Sequence, residues 1–162
     1  SGPLLSDQGF HALGLPAFGP GRTRVFDPYA RDLGRIAESN KLEDAYRFRT
    51  PMLRNVALTA PYGHNGAFPT LEGIIRHHLN PLQSRAIWDP KMANLPKAEW
   101  LEPVDFVIQS DRFEMERQAR AIDIAPMSLT DAEVDDLVAF MGALTGSTLD
   151  TPIFGVPEWF RP

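Results

Sequence analysis

The chain has no cysteine. Disulfides and thiolate metal sites are therefore excluded, as is any Cys-x-x-Cys motif within these residues. This absence names no redox compartment. No run approaches the roughly 20 apolar residues that cross a bilayer. Basic residues are not in excess either: the formal net charge is −5 with both signs interspersed. Nucleic acid thus finds no electrostatic footprint, and most of the charges read as a solvated surface. The histidines lack H-x-x-x-H and H-E-x-x-H spacing, and G-x-S-x-G, P-loop and G-x-G-x-x-G motifs are missing. A zinc hydrolase has no support. An initiator methionine and a signal peptide are also missing, and the opening Ser1-Gly2-Pro3 is expected to be the edge of a piece cut from something longer.

What is present is enough for one domain. The 162 residues are 43% hydrophobic, which suffices to bury a core. Fifteen prolines and 12 glycines predict short elements joined by many turns. Residues 1–30 read as irregular chain with one turn of helix at most, and Asp32-Leu-Gly-Arg35 as a turn. Thr50-Pro51 predicts an N-cap and first helical residue, starting a short helix that runs to about Leu58. Ala60–Pro69 is a loop. Thr70 caps the next helix, whose Leu71, Ile74, Ile75 and Leu79 share a face and which Pro81 ends.

Residues 81–110 hold four prolines with Trp88 and Trp100, a long excursion expected to be a functional or docking loop. A weaker helical pattern covers Asp111–Ala121. The last helix is the clearest. Thr130-Asp-Ala-Glu133 is a capping box, Val134, Leu137, Val138, Met141 and Leu144 form one stripe, and Gly146 is expected at C′. Strand signals are poor. The expected class is all-α with long irregular loops, a single domain over 1–162 with an insertion at about 81–110 and a tail at 151–162.

Several side chains are chemical candidates. At about 100° per residue, His78 lies about 20° from Leu71 around the helix axis, so it is expected to point inward and His77 outward. An inward imidazole must be hydrogen-bonded or bound to something, and periodicity alone favours a satisfied core histidine over a metal ligand. His64, in Pro61-Tyr-Gly-His-Asn-Gly66, is either a turn residue or a functional one. His11 carries no motif of its own. Arg35 and Arg54 have the planar fork suited to a carboxylate, with an internal salt bridge as the plain alternative. Asp131, Asp135 and Asp136 read as the polar side of the last helix.

The stretch Phe48-Arg-Thr-Pro-Met-Leu-Arg-Asn-Val-Ala-Leu-Thr-Ala-Pro-Tyr-Gly-His-Asn-Gly66, followed by Thr70-Leu-Glu72, resembles the signature of bacterial di-haem cytochrome c peroxidases and MauG-like enzymes, in their C-terminal haem lobe. Ser1–Asp7 and Phe10-His-x-Leu-Gly14 are similar to the residues that follow the second Cys-x-x-Cys-His of that family, and Leu129–Phe140 to its closing helix. The resemblance implies a cytochrome c-like fold, haem c attached outside these residues, and a periplasmic protein. It implies an axial haem ligand eight residues after Thr70, where the peroxidases have Met and MauG has Tyr. Here that position is His78, with the neighbouring His77 as the other candidate. A His/His-ligated haem would have a lower potential than one with Met. The resemblance also implies calcium held by the backbone carbonyls of Thr59 and Pro61, and haem-edge contacts at His64, Arg54 and Arg35.

Three functions follow as expectations. The first is one lobe of a peroxidase that passes electrons through its haem to reduce hydrogen peroxide, or drives peroxide-dependent oxidation of a protein substrate. Its partners would be the haem-bearing N-terminal part of the same protein and a small cytochrome or cupredoxin donor. The second is a haem-free interaction module using the loop around Trp88 and Trp100. The third is electron transfer without peroxide chemistry.

Overall fold

The computed structural model describes residues 5–19 and 31–146. The expected tail at 151–162, and part of the opening segment, lie outside them. Strand β1 (Phe10–His11) pairs antiparallel with β2 (Phe48–Arg49). The rest of the regular structure is helical: α1 (Ile36–Ser39), α2 (Leu71–Leu79), α3 (Pro81–Ile87), α4 (Val107–Ser110), α5 (Arg112–Ala121) and α6 (Asp131–Ala143). The all-α reading holds, with one two-residue ribbon added. None of the described helices is long and apolar enough to cross a membrane.

Local chemistry explains most boundaries. The Thr70 hydroxyl accepts from the Gly73 amide to start α2, and Asn80 accepts from Gln83 to start α3 with Pro81 in its first turn. Asp111 caps α5 through the Glu114 amide. Thr130 and Glu133 form the reciprocal capping box of α6. The α6 stripe is also as expected: Val134 is fully buried and Leu137, Val138, Met141 and Leu144 are partly so. The Asp32–Arg35 turn is real, with Asp32 Oδ1 accepting from the Gly34 amide. Gly34 has φ +66°, and a Cβ there would collide with the Arg47 carbonyl oxygen, so only glycine fits.

Three expectations are corrected. Residues 51–58 form a turn and one 3₁₀ turn (Val56–Leu58), not an α-helix. Asn55 sits at φ 60° in the left-handed region, donating its amide to Leu144 O and accepting from the Gly146 amide through Oδ1. It is a joint to the end of α6, and that role overrides the Thr-Pro start signal. Gly146 consequently lies beyond C′, since α6 closes on Leu144 as its C-cap.

Residues 81–110 are only partly the expected loop, with turns and irregular chain mostly at 93–106. They hold α3, a 3₁₀ turn (Pro90–Met92) and α4. Trp88 belongs to the core: it stacks on Phe18 at 5.4 Å between centroids, and its indole N–H donates to Ala67 O at 2.9 Å. Tyr62, Ala67 and Phe68 complete this cluster, against which Leu15, Leu71, Ile74 and Phe106 pack. Trp88 therefore leaves the expected contact surface, while Trp100 remains 79% exposed.

Candidate functional site

Helix α2 carries the histidine pair, and the structure reverses their expected orientations. His77 is fully buried and His78 is exposed. The reason is that α2 is covered on two arcs. Ile75 is buried on one, and α6 packs against the helix. His77, about 160° away around the axis, faces a second, formed by the 12–14 segment, α3 and Phe68. His78 does lie on the arc of Leu71 and Ile74, as periodicity requires, but that arc is open beside it.

Each imidazole is held differently. His77 Nε2 donates to Leu13 O at 2.8 Å, and Nδ1 accepts from the Ser84 hydroxyl at 3.1 Å. Burial lowers its pKa to about 4, partly opposed by the Leu13 carbonyl, so the ring is neutral at pH 7. His77 is thus the satisfied core histidine. The His78 Nδ1–H donates to Ile74 O one turn back at 2.8 Å, and no hydrogen bond to its Nε2 occurs among the described residues. A ring tied at one nitrogen and open at the other is the form in which histidine ligates metal.

The signature loop places His64 against β2. Its Nε2 contacts Asp32 Oδ2 at 2.6 Å, and its ring stacks on Phe48 at 3.9 Å. The hydrogen bond from His64 holds the Asp32 carboxyl below its usual range, aided by the Gly34 amide against burial. Sequence reading found His64 but missed its partner; the Asp32-x-Gly34 turn was the available signal. A cavity of about 130 Å³ opens beside the pair, with Leu15, Phe18, Tyr46 and Gln118 among its walls.

Arg35 and Arg54 part company. Arg35 Nε lies 3.3 Å from Asp44 Oδ2 and its guanidinium covers the Phe10 ring at 4.1 Å. Arg54 is exposed and makes no ion pair among the described residues. Thr59 and Pro61 are exposed in one loop, and no backbone amide among the described residues donates to either carbonyl. No group of three or more His, Cys, Asp or Glu side chains among the described residues could hold a metal ion, so a cation there would depend on carbonyl oxygens.

One strong polar cluster escaped the sequence reading altogether. Glu114 is fully buried, with Oε2 accepting from Arg31 at 2.9 Å and from Arg117 at 2.7 Å. Burial pushes its pKa up, but hydrogen bonds from Arg117, Arg31, Tyr46 and Gln118 outweigh that and leave it lowered. Buried Arg85 continues the network to Gln118 Oε1, Gly14 O and Met115 O. These residues fasten α3 and α5 to each other, to the Gly14 carbonyl and to Arg31.

No protein-family model matches the chain. Comparison with curated proteins finds the methylamine utilization protein MauG of Paracoccus denitrificans, 34% identical over 149 residues, covering 84% of this chain and 33% of the relative. The cytochrome-c peroxidase IdrP1 of Denitromonas iodatirespirans is 28% identical over 164 residues, covering 90% of this chain and 35% of the relative. The cytochrome c peroxidase Ccp of Escherichia coli is 41% identical over 76 residues, covering 46% and 15%. Among solved structures, a MauG-like protein associated with microbial copper homeostasis superposes with TM-score 0.54 at 28% identity, over 92% of this chain and 37% of that one. This chain thus spans about a third of the length of these fuller matches. Its helical fold is cytochrome c-like, and over most of its length the chain is similar to di-haem cytochrome c peroxidases and MauG, as a fragment of that family would be.

Proposed function

We propose that this chain forms the distal side of the C-terminal haem site in a periplasmic di-haem peroxidase, with His78 as the axial ligand. One observation carries the reading. At the position where the family places its ligand, an exposed imidazole stands on an apolar arc, with Nδ1 engaged by Ile74 O and no hydrogen bond to Nε2 among the described residues. The residues present fit this side of a haem. They do not supply its covalent attachment, because the chain has no cysteine, and that would come from residues outside these 162.

When bound, the haem supplies a one-electron centre whose potential two imidazoles set lower than a thioether would. His78 would hold the haem iron through Nε2. The Ile74 carbonyl fixes its tautomer and raises its basicity. Arg54, exposed and unpaired among the described residues, is the better candidate for a propionate; Arg35 is already engaged by Asp44 and Phe10. His64, oriented by Asp32, is a haem-edge contact. The carbonyls of Thr59 and Pro61 contribute to a calcium site completed from elsewhere. In the whole protein, hydrogen peroxide would be the oxidant for this one-electron chemistry, and either a small cytochrome or cupredoxin, or a protein substrate, the electron donor.

Intact mass and a pyridine haemochrome spectrum test the reading first. A mass equal to these residues with no haem would overturn it and favour the interaction module, now reduced to Trp100. Given haem, near-infrared magnetic circular dichroism should report two imidazoles, and His78→Ala should abolish that signal. Methionine ligation, or an unchanged spectrum, removes His78 from the role. Peroxide turnover with a reduced cytochrome then separates peroxidase from plain electron transfer.

A further inference from the structure

We propose that His77 is a positioning residue for His78, locking the rotation of α2 so that the neighbouring imidazole presents Nε2 in one direction. The inference rests on the reading of His78 as an axial ligand and deepens it. Helix α2 has nine residues, too few to be stable alone, so tertiary contacts set its rotation about its axis. Toward α6 those contacts include one directional pair, Arg76 to Asp131 Oδ1 at 2.7 Å, but both side chains are exposed and hold the helix weakly. On the His77 arc they are directional and buried.

His77 joins three separate parts of the chain. Its Nε2–H reaches Leu13 O in the segment after β1, its Nδ1 takes the Ser84 hydroxyl of α3, and its ring packs on Phe68 at 4.9 Å. The Leu13 carbonyl requires a proton on Nε2, which leaves Nδ1 to accept, so a single neutral tautomer satisfies both partners. The side chain is fully buried, and water cannot replace either bond. The two imidazoles lie edge-on, centroids 6.3 Å apart and planes at 89°. Any rotation of α2 that swings His78 breaks both bonds of His77. A short helix that must aim one side chain accurately gains most from such a two-point anchor.

The test uses the haem-loaded protein with four variants, read by low-temperature electron paramagnetic resonance and near-infrared magnetic circular dichroism. His77→Phe keeps the volume and loses both hydrogen bonds. It should raise the high-spin fraction several-fold, or split the low-spin signal into more than one species, at unchanged far-ultraviolet helix content. His77→Gln, whose amide can donate to Leu13 O and accept from Ser84, should return the spectrum toward wild type. A residue that merely stabilises the fold would lower Tm and leave the ligand signature intact, and that outcome overturns the proposal. If His77→Phe does not fold, Ser84→Ala decides: a smaller shift in the same direction supports the anchor, and an unchanged spectrum refutes it. His78→Ala is the control for the underlying reading. If it leaves the spectrum unchanged, the ligand assignment itself has failed, and the positioning role with it.

Discussion

Trp88 offers the sharpest quantitative test of the packing. Its ring lies flat against Phe18, 5.4 Å between centroids at 10° between planes, and its N–H is bonded to Ala67 O. Losing the stack costs about 0.5–1.5 kcal/mol. Leaving the Ala67 carbonyl unpaired in the core costs about 1–3 kcal/mol more. With the cavity left behind, Trp88→Ala should destabilise by about 3–5 kcal/mol, the usual range for a large buried aromatic. For a domain of this length that lowers Tm by about 10 °C. Trp88→Phe keeps most of the stack and should lose about 1–3 kcal/mol. Trp100→Ala, at a position 79% exposed, should stay within about 0.5 kcal/mol. Urea unfolding followed by circular dichroism measures all three. Equal effects at Trp88 and Trp100, or a Trp88→Ala cost below about 1 kcal/mol, would mean that residues 81–110 do not form part of the core.

Glu114→Gln removes the charge from a group whose Oε2 two arginines share, and turns the amide NH2 toward the Gln118 Nε2 donor from which Oε1 now accepts. Arg31 and Arg117 keep some solvent contact, at 21% and 49% side-chain exposure, so the loss should fall at or below the lower end for a broken buried pair, about 2–3 kcal/mol by urea melts. The same site predicts a pH dependence. The Glu114 pKa is lowered in the fold, so its stabilisation is full above the unfolded value of about 4.3 and disappears as pH falls through the folded value. Acid titration of stability should show this limb in wild type and a flatter one in Glu114→Gln; parallel limbs would place the acid sensitivity elsewhere. Asn55→Gly should cost about 0.5–1.5 kcal/mol, the lost bond to the Gly146 amide. Asn55→Ala should cost about 1–2 kcal/mol beyond that, for a Cβ at φ 60°; an Ala variant no worse than Gly would refute the left-handed joint. Thr130→Ala removes the α6 capping box and should cost about 1 kcal/mol, read from the urea midpoint.

Sequence carried the elements whose causes are local. Thr70, Thr130 and Glu133 start their helices where the side-chain chemistry places them, and the Asp32–Gly34 turn follows from one Asx hydrogen bond and one obligate glycine. It failed where a distant partner decided. Thr50-Pro51 is a sound helix start by itself, yet Asn55 is claimed by Leu144 and Gly146 some ninety residues away. Four prolines between 81 and 110 read as a loop, because nothing local says that Trp88 will find Phe18 and Ala67. The Glu114 network has the same character. Arg31, Arg85 and Arg117 look like ordinary surface charge until the fold brings Arg31, Arg117 and Tyr46 to one buried carboxylate and Arg85 to Gln118 and the Gly14 carbonyl beside it.

The histidine pair shows how far periodicity reaches. A single apolar stripe assumes a helix buried on one side, and on that assumption His78 must point in and His77 out. Helix α2 departs from it because Pro81, rather than ending the helical region, sits in the first turn of α3, which folds back against α2. That second contact creates an inner position for a polar ring exactly where Ser84 and the Leu13 carbonyl can satisfy it. The arc assigned to His78 was right, and the environment assigned to that arc was wrong. Both facts favour the same use of the pair. A ligand must combine a fixed backbone with an open nitrogen, and adjacent residues on a short helix achieve this when one is bound within the fold and the next is left free.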